Sequence, residues 1–272
     1  MISVSAAKAL IAEHTQALPP VTMALEEAAG CILAEDVYAR YDIPAFRQSS
    51  MDGYALKFQD RAAKLKLIGV MAAGTYRQVA IKSGETSRIF TGAPLPEGAD
   101  TVVMQEKIRV EENTIILQDT ELKPGKNVRE KGAEIKAGDL AIRTGATLTP
   151  AAIGFLAGIG IEKVRVFPMP KVIIIVTGNE LQQPGQELGF AQVYESNSYS
   201  LTAALKAEGI ADVRILHAKD DLELLISTLD NALSGGDLVL LTGGVSVGDY
   251  DFVVEASARC GIQQIFHKIK QK

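Results

Sequence analysis

Two aliphatic runs that each end in Thr-Gly constrain the fold of this chain more than any other feature. Residues 171–178 read KVIIIVTG and residues 238–243 read LVLLTG, and both have the length and hydrophobicity of strands buried on both faces. Between them, residues 196–208 and 222–233 show helical spacing on either side of a strand candidate at 213–216. Alternating strands and helices predict a parallel, doubly wound α/β sheet with right-handed crossovers.

Polar residues follow each of these strands, at the edge where parallel sheets bind their ligands. We expect residues 177–180, 220–221 and 242–251 to line one crevice. The glycines of the last loop let backbone N–H groups approach an anion, and its aspartates could hold a hard divalent cation against a phosphate. Considered alone, that loop fits a tight strand-to-helix turn with solvated aspartates equally well.

Residues 65–142 have the character of a separate β-rich domain. Its short strand candidates are separated by glycine, proline or charged turns, and they read LKLIGVM, TSRIF, TVVMQ, KIRV, TIILQ and DLAIR. This pattern predicts a compact barrel-like or sandwich-like domain. A length of 272 residues suggests about two domains, and we place the boundary at Pro168-Met169-Pro170.

Three further helices are predicted outside these regions. Ser3 is the N-cap of a candidate at 3–17, and LEEAAG at 25–30 is a shorter candidate that is followed by the strand-like segment CILAEDV. Thr149 is the N-cap of the third, with Pro150 in its first turn.

The composition excludes several classes of protein. A net charge of −5 argues against a nucleic-acid binder, which usually has a basic surface, but an acidic chain can still bind a phosphorylated small molecule. The longest apolar stretch, 151–161, is too short to span a bilayer, and the N-terminus lacks the pattern of a signal peptide. Cys31 and Cys260 lie far apart without metal-ligand spacing, which favours a reduced, cytoplasmic setting.

Two polar loops can each be interpreted either as part of a binding site or as an ordinary turn. Residues 48–56, QSSMDGYAL, combine turn-forming residues with apolar anchors, which suits a binding site and an ordinary tight turn equally. Residues 123–139 contain Arg129 and Lys131, which could meet an anion, although a solvated hairpin is the simpler interpretation of this charged stretch.

Five motifs carry a resemblance to a known family. SSMDGYAL, TGAPLPEGADTVVMQE, VTGNEL, SNSYSL and TGGVSVGDYDF, in this order and spacing, closely resemble the molybdopterin molybdenumtransferases, which include bacterial MoeA and the C-terminal domain of gephyrin. The resemblance runs from the first helix to the last residue. The family continues beyond the lysine-rich segment that FHKIKQK resembles, so we expect this chain to be a fragment of a longer protein.

The resemblance implies a MoeA-like multidomain fold, in which a three-layer α/β sheet domain is joined to a β-rich, barrel-like insert. It implies an N-terminal helix at 1–18 that packs on the sheet domain, a linking α/β domain at 19–40 and 139–169, the insert at 41–138, and the molybdopterin-binding domain at 170–272. It also implies an elongated homodimer, with the active crevice between the sheet domain of one subunit and the insert of the other.

The reaction implied by the resemblance joins molybdate to the dithiolene of adenylylated molybdopterin, with Mg²⁺-dependent release of AMP. The resemblance assigns catalysis to Asp52, Glu180 and Asp251, and metal binding to the last two. It assigns substrate binding to Thr91, Arg129, Glu134, Thr177, Gly178, Ser196, Asn197, Ser198, Asp220, Thr242, Gly243, Gly244, Ser246, Gly248, Lys268 and Lys272. Glu134 stands where the family often has aspartate. A contact with the molybdopterin adenylyltransferase is a further expectation, and neither nucleic acid nor a membrane is expected as a partner.

Two alternative functions are open. The adenylyltransferase of the same pathway shares the sheet and the TGG loop, but it usually has threonine after the glycines, where this chain has Val245, and it lacks the β-rich insert. A non-catalytic scaffold resembling gephyrin's receptor-binding role is the second, and no groove for a receptor peptide is recognisable in the sequence.

Overall fold

The computed structural model describes residues 1–74, 79–243 and 252–270. Within these ranges the helices are α1 (Val4–His14), α2 (Pro150–Gly158), α3 (Asn197–Ala207), α4 (Leu222–Gly235) and α5 (Phe252–Arg259). The strands of the same ranges are β1 (Ile2–Ser3), β2 (Val21–Ala24), β3 (Ile32–Leu33), β4 (Val37–Tyr38), β5 (Gln48–Ser49), β6 (Gly53–Leu56), β7 (Leu65–Met71), β8 (Glu85–Ile89), β9 (Thr101–Met104), β10 (Ile108–Glu111), β11 (Thr114–Leu117), β12 (Val128–Arg129), β13 (Leu140–Ile142), β14 (Lys163–Phe167), β15 (Val172–Thr177), β16 (Leu181–Gln182), β17 (Val193–Tyr194), β18 (Val213–Ala218), β19 (Leu238–Thr242) and β20 (Ile269–Lys270). Five residues predicted to belong to the site lie outside the described residues, namely Gly244, Ser246, Gly248, Asp251 and Lys272.

The chain divides into two compact units. Unit 1 comprises Met1–Met23, Gly30–Ala34 and Arg165–Lys272, and unit 2 comprises Ala24–Ala29 and Glu35–Val164. The four-part domain division implied by the resemblance stays a prediction. Among the described residues, no helix combines the length and hydropathy needed to cross a membrane.

Unit 1 is built on a parallel sheet of order β18-β15-β19. All six residues of β15 are buried, because helices cover both faces of the strand. Ile173 and Ile175 pack in a cluster with Leu225 and Leu229 of α4. Val172, Ile174 and Val176 pack on the other face with Leu201 and Leu205 of α3. The predicted parallel α/β sheet is therefore confirmed, and it forms the middle of three layers.

The chain start is tied to residues near the other end of unit 1. β1 pairs in parallel with β20, with Ile2 opposite Ile269, and the predicted N-cap Ser3 accepts a hydrogen bond from the backbone N–H of Ala6 at 3.1 Å. Helix α1 ends at His14, so the predicted extension to residue 17 is wrong. The backbone is already extended at Thr15, whose hydroxyl donates to the carbonyl of Ile11 at 2.6 Å.

Unit 2 contains a six-stranded sheet of order β10-β11-β7-β8-β6-β9, in which only the β7–β8 pair is parallel among the described residues. Neighbouring residues along a strand enter different apolar clusters, with Ala55 and Val102 in one and Leu56 and Val103 in the other. Both faces of the sheet are therefore buried, and the predicted β-rich fold is confirmed. Each of the six predicted strands corresponds to an observed one, within two residues at either end.

Three local predictions concern residues 25–37 and the start of helix α2. The predicted helix at 25–30 is wrong: the structure has a single 3-10 turn at Leu25–Glu27, and the chain leaves it through Gly30, whose φ is +82°. The strand-like segment that follows is divided into β3 and β4. Helix α2 is confirmed with its cap, since Thr149 Oγ1 accepts a hydrogen bond from the backbone N–H of Ala152 at 3.2 Å.

Candidate functional site

The end of β15 and the start of the loop after β19 approach each other closely. Gly243 has a φ of +88°, and a Cβ at this position would lie 2.1 Å from the carbonyl oxygen of Thr177 and 2.8 Å from its Oγ1. Thr177 is buried, and its Oγ1 has no hydrogen-bond partner among the described residues. An unsatisfied buried hydroxyl is uncommon in proteins, so Thr177 marks this strand end as a candidate site.

Hydrogen bonds join the other loops to this edge of the sheet. Asn197 Nδ2, at the start of α3, donates to Thr242 Oγ1 at 2.7 Å. The loops after β15 and β18 are linked reciprocally: Asn179 N donates to Asp220 Oδ2 at 3.3 Å, and Asp220 N donates to Asn179 Oδ1 at 3.4 Å. The described parts of the loops predicted to converge at the carboxyl ends of these strands are therefore adjacent. We call the residues Thr177–Glu180, Asn197, Asp220 and Thr242–Gly243 the strand-end group.

Asn179 is the member of this group that was expected to line the crevice but was assigned no individual role. It lies within the VTGNEL motif, between two residues that were assigned roles. Its Oδ1 accepts from the backbone N–H of Asp220, 41 residues later in the chain, and so joins two loops. Its place within residues 177–180 was the only signal for it in the sequence.

Glu180 is exposed at the same edge. A Cβ on Gly178 would lie 2.9 Å and 3.0 Å from the two carboxylate oxygens of Glu180, so the side chain folds back over a glycine whose φ is +141°. This arrangement places a carboxylate beside a backbone that carries no side chain. A charged ligand would meet both the carboxylate and the bare main chain.

The predicted binding residues at the start of α3 differ in accessibility. Ser196 occupies the N-cap position without a side-chain cap bond, and it is exposed. Ser198 is buried, and both its N–H and its Oγ donate to the carboxylate of Glu195, at 2.8 Å and 2.6 Å. Its hydroxyl is therefore engaged in fixing the start of the helix. Lys268 lies immediately before β20, with its side chain exposed and its carbonyl accepting from Ile2 N at 2.9 Å.

In unit 2, Asp52 is held by Thr91. Asp52 Oδ1 accepts hydrogen bonds from both the backbone N–H and the Oγ1 of Thr91, each at 2.8 Å. The N–H bond lowers the pKa of Asp52 most, the hydroxyl bond adds to it, and the positive charge of Arg88 contributes further. Asp52 is therefore a carboxylate at neutral pH and cannot serve there as a proton donor.

The backbone around Asp52 is fixed by close packing and by Ser49. A Cβ on Gly53 would lie 1.9 Å from the carbonyl oxygen of Val103, so this residue must be glycine in its present position. Ser49 is buried, and its Oγ donates to the carbonyl of Met51 at 2.6 Å. Gly92 N donates to the carbonyl of Ser49 at 2.9 Å, which ties this turn to the residues beside Thr91.

Arg129 and Glu134 are connected to the segment before Asp52 because β12, which contains Arg129, pairs with β5. Arg129 is opposite Gln48 in the β12–β5 pair, and its Nη1 donates to Glu134 Oε1 at 2.8 Å. The two side chains are 45% and 52% exposed, so this ion pair adds little to stability and leaves both groups accessible to a ligand. We call Asp52, Thr91, Arg129 and Glu134 the insert group.

The donor set suits Mg²⁺ bound together with phosphate. Among the described residues, no cluster of three or more His, Cys, Asp or Glu side chains could hold a metal ion. Mg²⁺ usually takes only one or two protein carboxylates and completes its shell with phosphate oxygens and water. Glu180 and Asp220 supply two exposed loop carboxylates at this edge, which is the number that such a site needs.

The sequence matches two family descriptions, one after the other. Residues 2–160 match "MoeA N-terminal region (domain I and II)", and residues 173–272 match "Probable molybdopterin binding domain". The chain belongs to the MoeA family. The insert group falls within the first match, and the strand-end group falls within the second.

Curated relatives and a solved structure agree with this membership. Proteins named molybdopterin molybdenumtransferase from Staphylococcus epidermidis and molybdopterin molybdenumtransferase 2 from Mycobacterium tuberculosis are 36% and 35% identical, over 98% and 94% of this chain. The chain spans 65% of the length of each. A crystal structure of the MoeA protein of Pyrococcus horikoshii superimposes with a TM-score of 0.75 at 31% identity, over 95% of this chain and 66% of the archaeal one. The MoeA-like fold predicted from the motifs is thereby confirmed.

Proposed function

We propose that this protein inserts molybdenum from molybdate into adenylylated molybdopterin, with Mg²⁺-dependent release of AMP, during molybdenum cofactor biosynthesis. The observation that carries the proposal is the strand-end group. Within the region that matches a molybdopterin-binding domain, bare glycine backbone, a buried unpartnered hydroxyl and exposed carboxylates meet at the carboxyl ends of parallel strands. A pterin that carries a pyrophosphate link needs such a combination of donors and cation-binding groups.

Most residues of the strand-end group have a proposed task. Thr177 Oγ1 and the N–H groups beside Gly178 and Gly243 donate to phosphate oxygens, and the bond from Asn197 keeps the β19 loop in place. Glu180 and Asp220 hold Mg²⁺, as does Asp251, which lies outside the described residues. When bound, Mg²⁺ offsets the phosphate charge and polarises the bond that is cleaved.

Asp52 is proposed as the catalytic carboxylate. Because Thr91 keeps it ionised, it can orient an attacking oxygen and accept its proton, and it cannot act as the acid for the leaving group. Arg129 is proposed to exchange its ion pair with Glu134 for an anionic substrate, since both groups are half exposed. An arginine fork is suited to planar or tetrahedral oxyanions.

The decisive experiment supplies the complete protein with adenylylated molybdopterin, molybdate and Mg²⁺ and measures AMP by chromatography. We expect AMP release together with active cofactor. In a parallel reaction with free molybdopterin, ATP and Mg²⁺, adenylylation of the pterin would identify an adenylyltransferase instead. Inertness in both reactions would favour a scaffold.

Asp52→Asn tests the catalytic assignment. We expect AMP release to fall by about 10²–10⁴-fold, the usual contribution of a general base, while the fold is retained. Asp42→Asn is the matched control, because the pKa of Asp42 is also lowered, first by the N–H of Ala137 and then by Lys131, yet it lies outside the insert group. Near-normal AMP release by folded Asp52→Asn would remove Asp52 from the mechanism.

Glu180→Ala tests the strand-end group. We expect weaker affinity for Mg²⁺ and for the adenylylated pterin, and unchanged affinity for both would refute its role.

The homodimer, the contact with the adenylyltransferase and the cytoplasmic setting stay predictions. Sedimentation of the complete protein, alone and mixed with the adenylyltransferase, tests the first two.

A further inference from the structure

Arg88 occupies an unusually constrained position beside the Asp52 turn. It lies on β8 directly opposite Tyr54 of β6. Its guanidinium carbon is 5.0 Å from the centroid of the Tyr54 ring and 4.9 Å from that of Phe90. Contact with two aromatic rings restricts a side chain that is otherwise highly flexible, so the guanidinium is oriented before any ligand arrives.

The two ends of the Arg88 guanidinium hold the backbone of the Asp52 turn, one directly and the other through Gln105. Arg88 Nη1 donates to the carbonyl of Gly53 at 3.1 Å, and Nη2 donates to Gln105 Oε1. Gln105 in turn uses its backbone N–H to bond the carbonyl of Asp52 at 3.1 Å. Both peptide carbonyls that follow the Asp52 side chain are therefore fixed by Arg88 and Gln105.

The side chain of Asp52 is fixed from the opposite direction. Thr91, which holds its Oδ1 with two hydrogen bonds, follows Arg88 by three residues along the same segment. One short segment of chain, 88–91, thus fixes the main chain of Asp52 through an arginine and its carboxylate through a threonine. The carboxylate has no freedom to turn without breaking one of these contacts.

We propose that Arg88 is a positioning residue that holds Asp52 in its catalytic orientation without touching the substrate. The proposal rests on the proposed function of Asp52. Because the arginine also stands near the carboxylate, its positive charge supports the ionised form of Asp52, after the two bonds from Thr91. A purely structural arginine would affect stability alone, so the test measures the state of Asp52 itself.

The experiment compares Arg88→Gln and Arg88→Lys in the complete protein with Arg109→Gln as the control. Arg109 lies on an outer strand of the same sheet and pairs with Glu111 on the surface. The titration of Asp52 is followed by ¹³C NMR of carboxyl-labelled aspartate, with the resonance assigned by its loss in Asp52→Asn. The kcat and KM of AMP release are measured in parallel.

For Arg88→Gln we expect the Asp52 titration midpoint to rise and kcat to fall about 10²-fold with KM within about twofold of the parent, as for a small misplacement of a catalytic group. Arg88→Lys keeps the charge but cannot stack and bond as a fork, so its midpoint should stay near that of the parent while kcat still falls by about tenfold or more. Arg109→Gln should change neither quantity.

Three results separate the possible failures. A folded Arg88→Gln with an unchanged midpoint and unchanged kcat overturns the positioning role. If Arg88→Gln does not fold, Arg88→Lys decides, and unchanged kcat in that variant overturns the proposal. A raised midpoint in Arg88→Gln with unchanged kcat, together with an active Asp52→Asn, confirms that Arg88 controls Asp52 and refutes the catalytic role of Asp52 instead.

Discussion

Gly53→Ala should destabilise unit 2 strongly, although it adds one methyl group. The new Cβ would lie 1.9 Å from the carbonyl oxygen of Val103 and 2.8 Å from its carbonyl carbon. An ordinary C···O contact is about 3.3 Å, so the strands must separate by more than 1 Å. Gly53 pairs with Ile89 on one side and with Met104 on the other, which leaves neither neighbouring strand free to move.

The cost follows from these contacts. Overpacking a rigid site costs about 1–3 kcal/mol or more, and a lost ladder bond adds about 1 kcal/mol, against about 0.5–1 kcal/mol gained from the lower entropy of an unfolded alanine. These terms give a net loss of about 1–3.5 kcal/mol, and the 1.9 Å contact places Gly53→Ala near the upper end, at about 3 kcal/mol. At about 2–4 °C per kcal/mol, the Tm should fall by roughly 6–12 °C.

Two other glycines of unit 2 provide controls for the same methyl group. Gly69 lies in β7, and a Cβ there would make only an ordinary contact of 3.6 Å with Val79, so Gly69→Ala should be within about 0.5 kcal/mol of the parent. Gly154 lies in α2 with nothing within 4 Å, so Gly154→Ala should stabilise by about 0.5–1 kcal/mol. Calorimetry of all three variants is the measurement. A Gly53→Ala protein that melts within about 2 °C of the parent would show that β6 and β9 separate at little cost, and the steric argument would fail.

Three further perturbations test other parts of the structure. Thr91→Val removes the hydroxyl donor and keeps the N–H, so the pKa of Asp52 should rise as measured by carboxyl NMR, and Thr91→Ser should restore it. Asp221→Ala removes the N-cap of α4 and should cost about 1 kcal/mol in chemical denaturation of unit 1, whereas a loss below about 0.3 kcal/mol would contradict the capping role. Acidification should destabilise unit 2, because backbone N–H donors lower the pKa values of Asp42 and Asp52 in the folded state. The stability that the two carboxylates contribute is complete above their unfolded-state pKa of about 3.9, and it is lost as the pH falls through their folded-state pKa values. Thermal melts between about pH 7 and pH 3 should show this decline, with a weaker slope in Asp42→Asn.

Periodicity predicted the sheet of unit 1 because its strands are buried on both faces. Every residue of β15 is apolar except the last, and β19 has the same pattern. The observed strands and α4 differ from the predicted ones only at their ends, where side-chain caps and local bends decide. Helix α1 shows the limit of prediction from periodicity, because the apolar pattern continues beyond Thr15, where the backbone becomes extended.

Strand β6 was not predicted, because turn-forming residues precede it and only four residues pair. Its Gly53 was read as part of a turn, although glycine is required there by the closeness of Val103, a residue 50 positions later in the sequence. A short strand inside a sheet depends on its neighbours more than on its own pattern. The residues around Gly53 therefore carry no local signal for strand β6.

The site was predictable in its residue types but not in its connections. The glycines and carboxylates at the strand ends follow from the topology, which brings the carboxyl ends of parallel strands to one edge. The bond between Asp52 and Thr91 joins positions 39 residues apart, and the Arg88 fork depends on the register of β6 against β8. Such long-range pairings are properties of the folded chain, so residue types alone do not specify them.

The pairing of β1 with β20 sets an order in which the chain can be completed during synthesis. Unit 2 is nearly continuous from Glu35 to Val164, so its residues are synthesised before the sheet strands of unit 1. Residues 2–3 must wait for residues 269–270, roughly 15–50 s later at about 5–20 residues per second. For that interval the nascent chain carries β1 and helix α1 without β20, the strand that both contact in the folded unit.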